Sequence, residues 1–398
     1  MTNVNTDKNK VEEILTRGVH EVYTSTELRQ KLLSGKQLHI KLGTDVTGAN
    51  LHLGHAVQHR KLRDFQELGH KVTLIIGDFT TLVGDHSDKI DMRSETDLSQ
   101  IREFEKQYEK QFFKTVLPEQ TDIRHNSEWL APLDFNDVIG LAKQFTIAQM
   151  LDRETFLIRY KNQTPIGLDE FLYPLMQGYD SVALNCDVEI GGTDQTFNLL
   201  AGRKLMENKG MTPQNAMALK LLIGSDGRPM GKSLKNYIPI MDTPNDMFGK
   251  IMASVDEVIF DYFEMVTRVP MSDIQEMRHE VEKGTNPMQF KKLLAKELVT
   301  FYHSEKEAIE AENYFKETVQ EGVVREEDML SVHPNPEDTL LQVIKSVDTG
   351  ITSSEIKRMF AQGGIEVNGI KMEDPAKILK LNTGDQIKVG KRRYLKVA

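Results

Sequence analysis

The chain has 398 residues, of which 39% are hydrophobic and 28% are charged, and this length and composition predict a globular protein of two or three domains. No run of about 18 apolar residues occurs, which excludes a membrane-spanning helix, and the polar first residues predict no secretion signal. The single cysteine, Cys186, excludes an internal disulfide framework and a cysteine-based zinc site. We therefore expect a cytoplasmic protein in a reducing compartment.

The charge is distributed unevenly along the chain. The net charge is −10, yet residues 339–398 contain eleven lysines and arginines against six acidic residues. An acidic body with a basic end is typical of a protein that binds a polyanion through one small module. A solvated surface without a partner explains the same counts, so charge alone leaves both interpretations open.

The first part of the chain predicts a βαβ unit. Residues 1–35 have a helical pattern, and Gln37–Leu42 has the pattern of a short strand. Leu53–Leu68 is predicted to be a helix that ends at Gly69, and Lys71–Ile76 has the pattern of a buried strand. A strand, a helix and a second strand in this order predict a parallel, right-handed unit. Because the chain lacks Gly-x-Gly-x-x-Gly, the unit is not that of a typical dinucleotide-binding protein.

The rest of the chain predicts a helical insertion, a further strand and a small terminal unit. Residues 98–185 are mostly helical in pattern and precede a strand at Asp187–Ile190. Residues 244–325 are again helical, and the proline-containing stretch His333–Thr339 is predicted to be a linker. The final unit begins with a helix at Ser353–Gln362 and ends in turns and strands. The fold class predicted is α/β with a parallel sheet.

Two histidines flank a glycine where the predicted helix Leu53–Leu68 begins. In a doubly wound sheet, ligands bind beyond the carboxyl ends of the strands, and a helix N-terminus offers N–H groups to phosphate. Gly54 allows a ligand to lie close to the backbone, and His52 and His55 can donate hydrogen bonds to phosphate oxygens. A metal site formed with His59 is an alternative, although no carboxylate or cysteine nearby completes it.

Three hydrogen-bonding residues share one face of a predicted helix. Tyr173, Gln177 and Asp180 are spaced i, i+4, i+7 among Leu, Met and Phe. Polar groups on an apolar stripe need partners, and a bound polar ligand can supply them. A partly exposed stripe without a ligand is the alternative.

A glycine pair follows the strand at Asp187–Ile190. It permits close approach of a ligand to the backbone, and Asp194 can accept hydrogen bonds from both hydroxyls of a ribose. A plain turn has the same sequence pattern, so this signal is weak alone.

The stretch Gly227–Lys235 contains Gly-Lys-Ser but is not a phosphate-binding P-loop. The first glycine of that motif would fall on Asp226. We interpret the stretch as a mobile turn that carries Lys232 and closes over a pyrophosphate, with charge added by Arg228.

Taken in chain order, these segments resemble the class I aminoacyl-tRNA synthetases, and the tyrosyl group in particular. His52–His55 matches the HIGH motif, and Pro229–Ser233 lies where the KMSKS loop belongs. The sequences YPLMQGYD and GGTDQ are similar to the tyrosyl amino-acid pocket, and Gly84–Lys89 resembles the Gly-Asp-Pro-Ser-Gly-Lys loop of that group. The basic C-terminal end resembles a small S-four-type RNA-binding module. The resemblance covers essentially the whole chain.

The resemblance also implies site residues. Those implied for catalysis are His52, His55, Lys89, Arg93 and Lys232. Those implied for binding ATP are Gly43, Asp45, Thr47, His52, Gly54, His55, Gly192, Asp194, Met230, Gly231, Lys232 and Ser233. Those implied for binding tyrosine are Asp85, Asn126, Tyr173, Gln177, Asp180 and Gln195. Those implied for binding tRNA are Lys357, Arg358, Lys391, Arg392 and Arg393.

The implied reaction has two steps: tyrosine and ATP with Mg²⁺ form tyrosyl-adenylate and pyrophosphate, and the tyrosyl group then passes to the 3′-terminal adenosine of tRNA(Tyr). Activation needs positioning and charge stabilisation rather than a covalent nucleophile. No tightly bound protein metal is expected. The resemblance further implies a homodimer formed through the 98–185 insertion.

Three domains are implied. Residues 1–235 form a Rossmann-like catalytic domain with the helical insertion, residues 236–332 an α-helical domain on the anticodon side, and residues 340–398 a small α+β RNA-binding domain.

Five positions depart from the family pattern. Pro229 and Gly231 replace the first lysine and the first serine of KMSKS. His86 and Asp88 replace a proline and a glycine, and Lys41 stands where many members have a tyrosine that touches the substrate hydroxyl. Slower activation or a larger role for Arg228 would follow.

Other functions compatible with parts of this pattern are a tryptophanyl-tRNA synthetase, a small cytidylyltransferase-type enzyme and an RNA-binding pseudo-synthetase. The Tyr173, Gln177 and Asp180 set argues against the first, and residues 244–398 are not needed by the second. The changed loops favour the third. The retained histidines, Lys232 and pocket residues favour an active enzyme.

Overall fold

The computed structural model describes the chain except for residues 1–3, 47, 49, 86–97, 232–233, 322, 324, 326–328, 348–350 and 391–392. The chain forms two compact units, Met1–Ile309 and Glu310–Ala398. The predicted boundary near residue 235 and the three-domain division stay predictions.

The first unit contains a six-stranded sheet in the order β1-β6-β5-β2-β3-β4. Its strands are β1 (Val19–Tyr23), β2 (His39–Thr44), β3 (Lys71–Ile76), β4 (Thr121–His125), β5 (Val188–Gly192) and β6 (Asn215–Leu219). All neighbours pair in parallel except β1, which is antiparallel to β6. Strands β3, β5 and β6 are almost wholly buried, as expected of a parallel sheet covered on both faces.

Helices surround this sheet and continue after it. They are α1 (Lys8–Thr16), α2 (Ser25–Leu33), α3 (Leu53–Glu67), α4 (Leu98–Phe112), α5 (Ser127–Leu130), α6 (Phe135–Ala142), α7 (Ile147–Leu151), α8 (Glu154–Lys161), α9 (Tyr173–Leu184), α10 (Thr196–Asn208), α11 (Pro244–Met252), α12 (Ile259–Val266), α13 (Met271–Glu282), α14 (Met288–Tyr302) and α15 (Glu305–Phe315). No helix in the described part of the chain is both long and apolar enough to cross a bilayer.

The predicted βαβ unit is confirmed as β2, α3 and β3, with strand β2 beginning two residues later than Gln37. Two predictions were wrong in detail. The helical lead-in contains strand β1, and the helical insertion contains strand β4. Both segments pair with a neighbour at an edge of the sheet, and this pairing outweighs local helical propensity.

The second unit contains a five-stranded sheet in the order β7-β11-β10-β8-β9 with two helices. Its elements are β7 (Leu330–Val332), α16 (Leu340–Lys345), α17 (Ser353–Ala361), β8 (Ile365–Val367), β9 (Ile370–Lys371), β10 (Gln386–Val389) and β11 (Arg393–Val397). The β8–β9 hairpin turns at Asn368 and Gly369, which both have positive φ, as a tight two-residue turn requires. The core of the second unit is apolar and includes Ile356, Phe360 and Leu395.

Candidate active site

A polar cavity of about 260 Å³ lies at the carboxyl ends of the parallel strands in the first unit. Strands β2, β3 and β5 end there, and parallel α/β sheets bind ligands at this edge. Many residues predicted to bind ATP or tyrosine line this one cavity. They are Gly43, Asp45, His55, Asp85, Asn126, Tyr173, Gln177, Asp180, Asp194 and Gln195.

The two histidines of the predicted HIGH motif cap helix α3. The Gly54 N–H donates to Nδ1 of His52, and the His52 N–H donates to Nδ1 of His55, each at 3.2 Å. Because both Nδ1 atoms accept, the neutral rings carry their protons on Nε2, where each can donate a hydrogen bond. The ring centroids lie 4.0 Å apart, so the two donors belong to one cluster.

Gly54 is required by the close packing around these histidines. A Cβ atom at this position would lie 3.0 Å from the His52 ring and 3.2 Å from the sulfur of Met230. The same contact places Met230, which was predicted to bind ATP, beside the start of helix α3. Gly54 therefore brings the HIGH-type motif and the 227–235 stretch together.

His59 does not join the other two histidines. It is 1% exposed, contacts the Tyr108 hydroxyl at 3.2 Å, and packs edge-on against Phe112. Burial lowers the pKa of His59 to about 3, so it stays neutral in the core. The described residues contain no group of three His, Cys, Asp or Glu side chains arranged to hold a metal ion. His59 is therefore a residue of the hydrophobic core, and its position does not support the metal alternative.

Asn236, which is 4% exposed, shapes the 227–235 stretch. Its Oδ1 accepts the Gly231 N–H at 2.9 Å, and its Nδ2 donates to the Pro229 carbonyl at 3.0 Å and to Asp226 Oδ1 at 2.8 Å. One buried side chain thus fixes the backbone on which the predicted lysine loop is built. Arg228 is exposed and paired with Asp226, so its predicted help at the pyrophosphate would require this pair to open.

Asp45 joins the end of β2 to helix α9. The Tyr173 hydroxyl donates to Asp45 Oδ2 at 3.0 Å, and the Thr80 hydroxyl donates to Asp45 Oδ1 at 2.8 Å. Asn126 donates in turn to the Thr80 hydroxyl at 3.0 Å. Burial, followed by the neighbouring Asp45, raises the pKa of Tyr173 well above its ordinary value, so Tyr173 remains a hydrogen-bond donor.

Asp180 is a buried acceptor in the cavity wall. It is 3% exposed, and its Oδ1 accepts a hydrogen bond of 2.8 Å from the indole Nε1 of Trp129. Burial raises the pKa of Asp180 to about 7, although the ammonium of Lys41 acts in the opposite direction. Ionisation of this carboxylate therefore takes place near neutral pH.

Asp85 is a second carboxylate in a different environment. Its Oδ2 accepts from Gln195 Nε2 at 2.7 Å, and its Oδ1 lies 3.4 Å from the guanidinium of Arg153. That guanidinium stacks over Phe156 with its centre 4.6 Å from the ring centroid. Asp85 is thus held by a buried cation, whereas Asp180 is held by a neutral donor.

Lys41, one of the departures from the family pattern, is completely buried. Its Nζ lies 3.1 Å from Glu189 Oε1 and donates to the Gln177 carbonyl at 3.3 Å. The lysine at this position is therefore paired with a carboxylate on β5, the strand beside β2 in the sheet.

Seven predicted residues fall outside the described part of the chain, as do the departures His86 and Asp88. These seven are Thr47, Lys89, Arg93, Lys232, Ser233, Lys391 and Arg392. Gly192 ends strand β5 two residues before Asp194. In the second unit, Lys357, Arg358 and Arg393 have exposed side chains. The functional roles of all these residues stay predictions.

Several residues of the site were missed by the sequence interpretation. Trp129 is the only tryptophan in the chain and follows Asn126 by one helical turn, which was an available signal. Glu189, Thr80 and Asn236 had no such signal, because their partners lie on other elements.

Comparison with known proteins first defines the class. A family model described as tRNA synthetases class I (W and Y) matches residues 33–320. The fold is also that of a tyrosyl-tRNA synthetase from Archaeoglobus fulgidus solved with L-tyrosine, with a TM-score of 0.63, 23% identity, and coverage of 76% of this chain and 98% of that chain. A C-terminally truncated mitochondrial tyrosyl-tRNA synthetase from Aspergillus nidulans matches with a TM-score of 0.64 and 22% identity, and the match covers 77% of this chain and 93% of that chain. The family model and the fold are thus those of a class I tRNA synthetase.

Relatives identify the group within this class. A tyrosine–tRNA ligase from Dehalococcoides mccartyi is 43% identical over 99% of this chain and 100% of its own length. One from Carboxydothermus hydrogenoformans is 45% identical over 97% of both chains. The chain belongs to the tyrosine–tRNA ligase family of aminoacyl-tRNA synthetases. This confirms the predicted family and decides against the tryptophanyl and cytidylyltransferase alternatives.

Proposed function

We propose that this protein activates L-tyrosine with ATP and transfers the tyrosyl group to the 3′-terminal adenosine of tRNA(Tyr). The observation that carries the proposal is the buried Asp180, whose carboxylate lines the cavity and accepts hydrogen bonds from neutral donors, with the indole of Trp129 on Oδ1. A phenol hydroxyl is a neutral donor that such an acceptor selects, and a phenylalanine ring would leave the buried carboxylate unsatisfied.

The other end of tyrosine carries an ammonium group, which needs acceptors. Asp85 lines the same cavity and has a carboxylate whose position is fixed by Gln195 and Arg153. Gln177 and Tyr173 lie on the helix that also carries Asp180. We assign the ammonium to Asp85 and Gln177, because a charged donor is best matched by a charged acceptor and an amide oxygen.

Activation is a displacement at the α-phosphorus of ATP. An oxygen of the tyrosine carboxylate forms a bond to this phosphorus, the bond to the bridging oxygen breaks, and pyrophosphate leaves with the bonding electron pair. The Nε2–H groups of His52 and His55 donate to the phosphate oxygens as charge develops on them. Mg²⁺ enters with ATP as part of the substrate, and the predicted Lys232 balances the leaving pyrophosphate.

The second step starts from the product of the first, tyrosyl-adenylate, which is a mixed anhydride of the tyrosine carboxylate and the phosphate of AMP. A hydroxyl of the terminal tRNA adenosine attacks the tyrosyl carbonyl carbon, the bond from this carbon to the phosphate oxygen of AMP breaks, and AMP leaves while the hydroxyl proton passes to a phosphate oxygen. The exposed Lys357, Arg358 and Arg393 of the second unit are suited to contacts with the tRNA backbone, together with the neighbouring Lys391 and Arg392.

A cytoplasmic homodimer is part of the proposal. The helical insertion exposes large apolar side chains, including Phe135 at 79%, Ile147 at 73% and Leu168 at 82%. Exposed apolar surface of this kind is typical of an interface between subunits.

The test is exchange of labelled pyrophosphate into ATP, measured with tyrosine, phenylalanine and tryptophan. We expect exchange with tyrosine, and we expect Asp180→Asn to reduce the preference for tyrosine over phenylalanine at least tenfold, as loss of a charged hydrogen-bond acceptor implies. Trp129→Phe is the matched control, since it removes the donor to Asp180 but keeps the carboxylate and should retain most of this preference.

Other outcomes discriminate between the alternatives. Exchange with tryptophan alone would overturn the specificity. No exchange with any amino acid, together with intact tRNA binding, would support the RNA-binding pseudo-synthetase instead.

A further inference from the structure

A buried ion pair contacts Gln177, one of the residues that line the cavity. Lys41 and Glu189 face each other across neighbouring parallel strands, β2 and β5, and are paired in the strand register. Their side chains are each 1% exposed, and Lys41 Nζ lies 3.1 Å from Glu189 Oε1. Removing two charges from water is costly, so a pair in this position requires an explanation beyond sheet stability.

Both members of the pair contact the same cavity residue, Gln177. Lys41 Nζ donates to the main-chain carbonyl of Gln177 at 3.3 Å. The side-chain Nε2 of Gln177 donates to Glu189 Oε1 at 3.2 Å. The pair therefore fixes Gln177 at its backbone and at its side chain.

The neighbours of Glu189 show that it acts as an acceptor. Besides Lys41 and Gln177, the Ser181 hydroxyl donates to Oε2 at 3.2 Å, and the side-chain amide of Gln214 also donates to Oε2. Burial acts to lower the pKa of Lys41, but Glu189, Cys186 and Asp180 together outweigh it and raise this pKa, so Lys41 remains a cation.

An acceptor at this place determines which way the Gln177 amide faces. A carboxylate cannot donate, so the amide must turn its NH₂ group towards Glu189. The amide oxygen is then directed away from Glu189, on a residue that lines the cavity. An oxygen in the cavity wall attracts an ammonium group, whereas an NH₂ group would repel it.

We propose that the Lys41–Glu189 pair is a positioning device that fixes the Gln177 amide with its oxygen towards the cavity, so that it accepts a hydrogen bond from the substrate ammonium. The inference rests on the proposed function, since it assumes that tyrosine occupies this cavity. Lys41 and Glu189 are positioning residues in this scheme, because they act through Gln177.

The pair could instead hold only the two strands together. That function predicts a general loss of ligand affinity or stability when the pair is changed. A positioning function predicts a loss confined to ligands that carry an ammonium group.

The test uses two tyrosine analogues as probes of the full-length protein. Tyramine has the phenol and the ammonium but no carboxylate, and 3-(4-hydroxyphenyl)propionate has the phenol and the carboxylate but no ammonium. In Glu189→Gln, the Gln177 amide is no longer forced to face one way. We expect the Kd for tyramine, measured by calorimetry, to rise about tenfold, as expected for a hydrogen bond to a charged group. The Kd for the propionate should change less than twofold.

A second variant distinguishes a specific effect on the Gln177 amide from misfolding. Glu189→Asp keeps a negative charge between the strands but withdraws the carboxylate from Gln177 and Lys41 alike, because both contact Oε1. It should produce the same loss confined to tyramine. The matched control is Glu170→Gln, the same substitution in the buried pair with Arg159, whose side chains are 4% and 1% exposed. This control should change the two Kd values by the same factor.

Two results would overturn the inference: equal weakening of both analogues in the Glu189 variants, or no weakening of either. Failure of the proposed function looks different, because the unaltered protein would then bind neither analogue and catalyse no tyrosine-dependent exchange.

Discussion

The first unit of the chain buries charged and polar side chains, whereas the second unit buries apolar ones. Lys41, Asn126, Asp180 and Glu189 are each at most 3% exposed in the first unit. In the described part of 310–398, every buried side chain is apolar. The described charged residues of that unit are all partly or fully exposed.

This difference reflects two ways of accommodating polar side chains. Burying a polar group costs free energy unless hydrogen bonds replace those to water, so a cavity lined with such groups needs a network that holds each one in place. The hydrogen-bonded set around Asp45 and Glu189 has this form. An apolar core requires no such network, and it serves as a stable support for a charged surface.

The largest effect is expected when a buried pair of the first unit is broken. Arg159→Met removes the partner of Glu170 and leaves a buried carboxylate without its cation. We expect the free energy of unfolding to fall by about 3–5 kcal/mol, measured by urea denaturation.

The control for this variant is an exposed pair of the same type. Arg124 and Glu128 have side chains 44% and 40% exposed, so Arg124→Ala should cost less than about 1 kcal/mol. Similar losses of unfolding free energy in Arg159→Met and Arg124→Ala would contradict a special contribution of the buried pair to stability.

A cavity in the apolar core should destabilise only the second unit. Leu395 is 0% exposed, and Leu395→Ala should lower the stability of this unit by about 3 kcal/mol, detected by hydrogen exchange over 310–398. Pyrophosphate exchange should be unchanged, because the proposed activation residues lie in the first unit, while tRNA charging should fall.

Leu330→Ala is the control, because Leu330 is 41% exposed and its truncation removes little buried surface. A fall in pyrophosphate exchange that parallels the loss of stability in Leu395→Ala would show that the two units do not work separately.

A smaller effect is expected at the loop that Asn236 shapes. Asn236→Ala removes the acceptor for the Gly231 N–H and the donor to Pro229. We expect about a tenfold lower rate of adenylate formation, the equivalent of one lost hydrogen bond, with little change in the affinity for tyrosine. Rapid-quench kinetics separate the two quantities.

Asn208→Ala, the same change at an exposed residue that bonds to Gln144, is the matched control and should leave the rate unaltered. A loss of tyrosine affinity equal to the loss of rate in Asn236→Ala would contradict a function confined to the loop.

The smallest expected effect is a pH dependence of tyrosine binding. The pKa of Asp180 is raised to about 7, so the fraction of ionised carboxylate increases as the pH rises through neutrality. Because the ionised form is the better acceptor for a phenol, KM for tyrosine should fall by less than about tenfold between pH 6 and pH 8. Asp180→Asn should abolish this dependence, and an unchanged pH profile in that variant would assign it to another group.

The sequence predicted those parts of the site that depend on local spacing. Tyr173, Gln177 and Asp180 lie on one helix, α9, and their i, i+4, i+7 spacing places them on one face, which the structure confirms as cavity wall. Helix α3 was also predicted, with its start after His52 and its end at Gly69. Such spacings lie within a few turns of one helix, so the geometry of that helix is sufficient to predict which side chains share a face.

The sequence could not reveal contacts between distant elements. Trp129 donates to Asp180 across 51 residues, and the edge strands β1 and β4 form by pairing rather than by local propensity. Lys41 was noticed only as a departure from a family pattern, because its partner Glu189 lies 148 positions away along the chain.

By itself, then, the sequence determined the α/β class, the family, and the side chains of helix α9 and of the start of helix α3 that line the cavity. The tertiary structure alone decided how those side chains are held: Asp180 by Trp129, Gln177 by Lys41 and Glu189, and the lysine loop by Asn236. The physical reason is the range of the interactions. Helical periodicity is repeated along the chain, whereas a buried hydrogen bond or ion pair depends on strand register and packing between residues that the sequence keeps far apart.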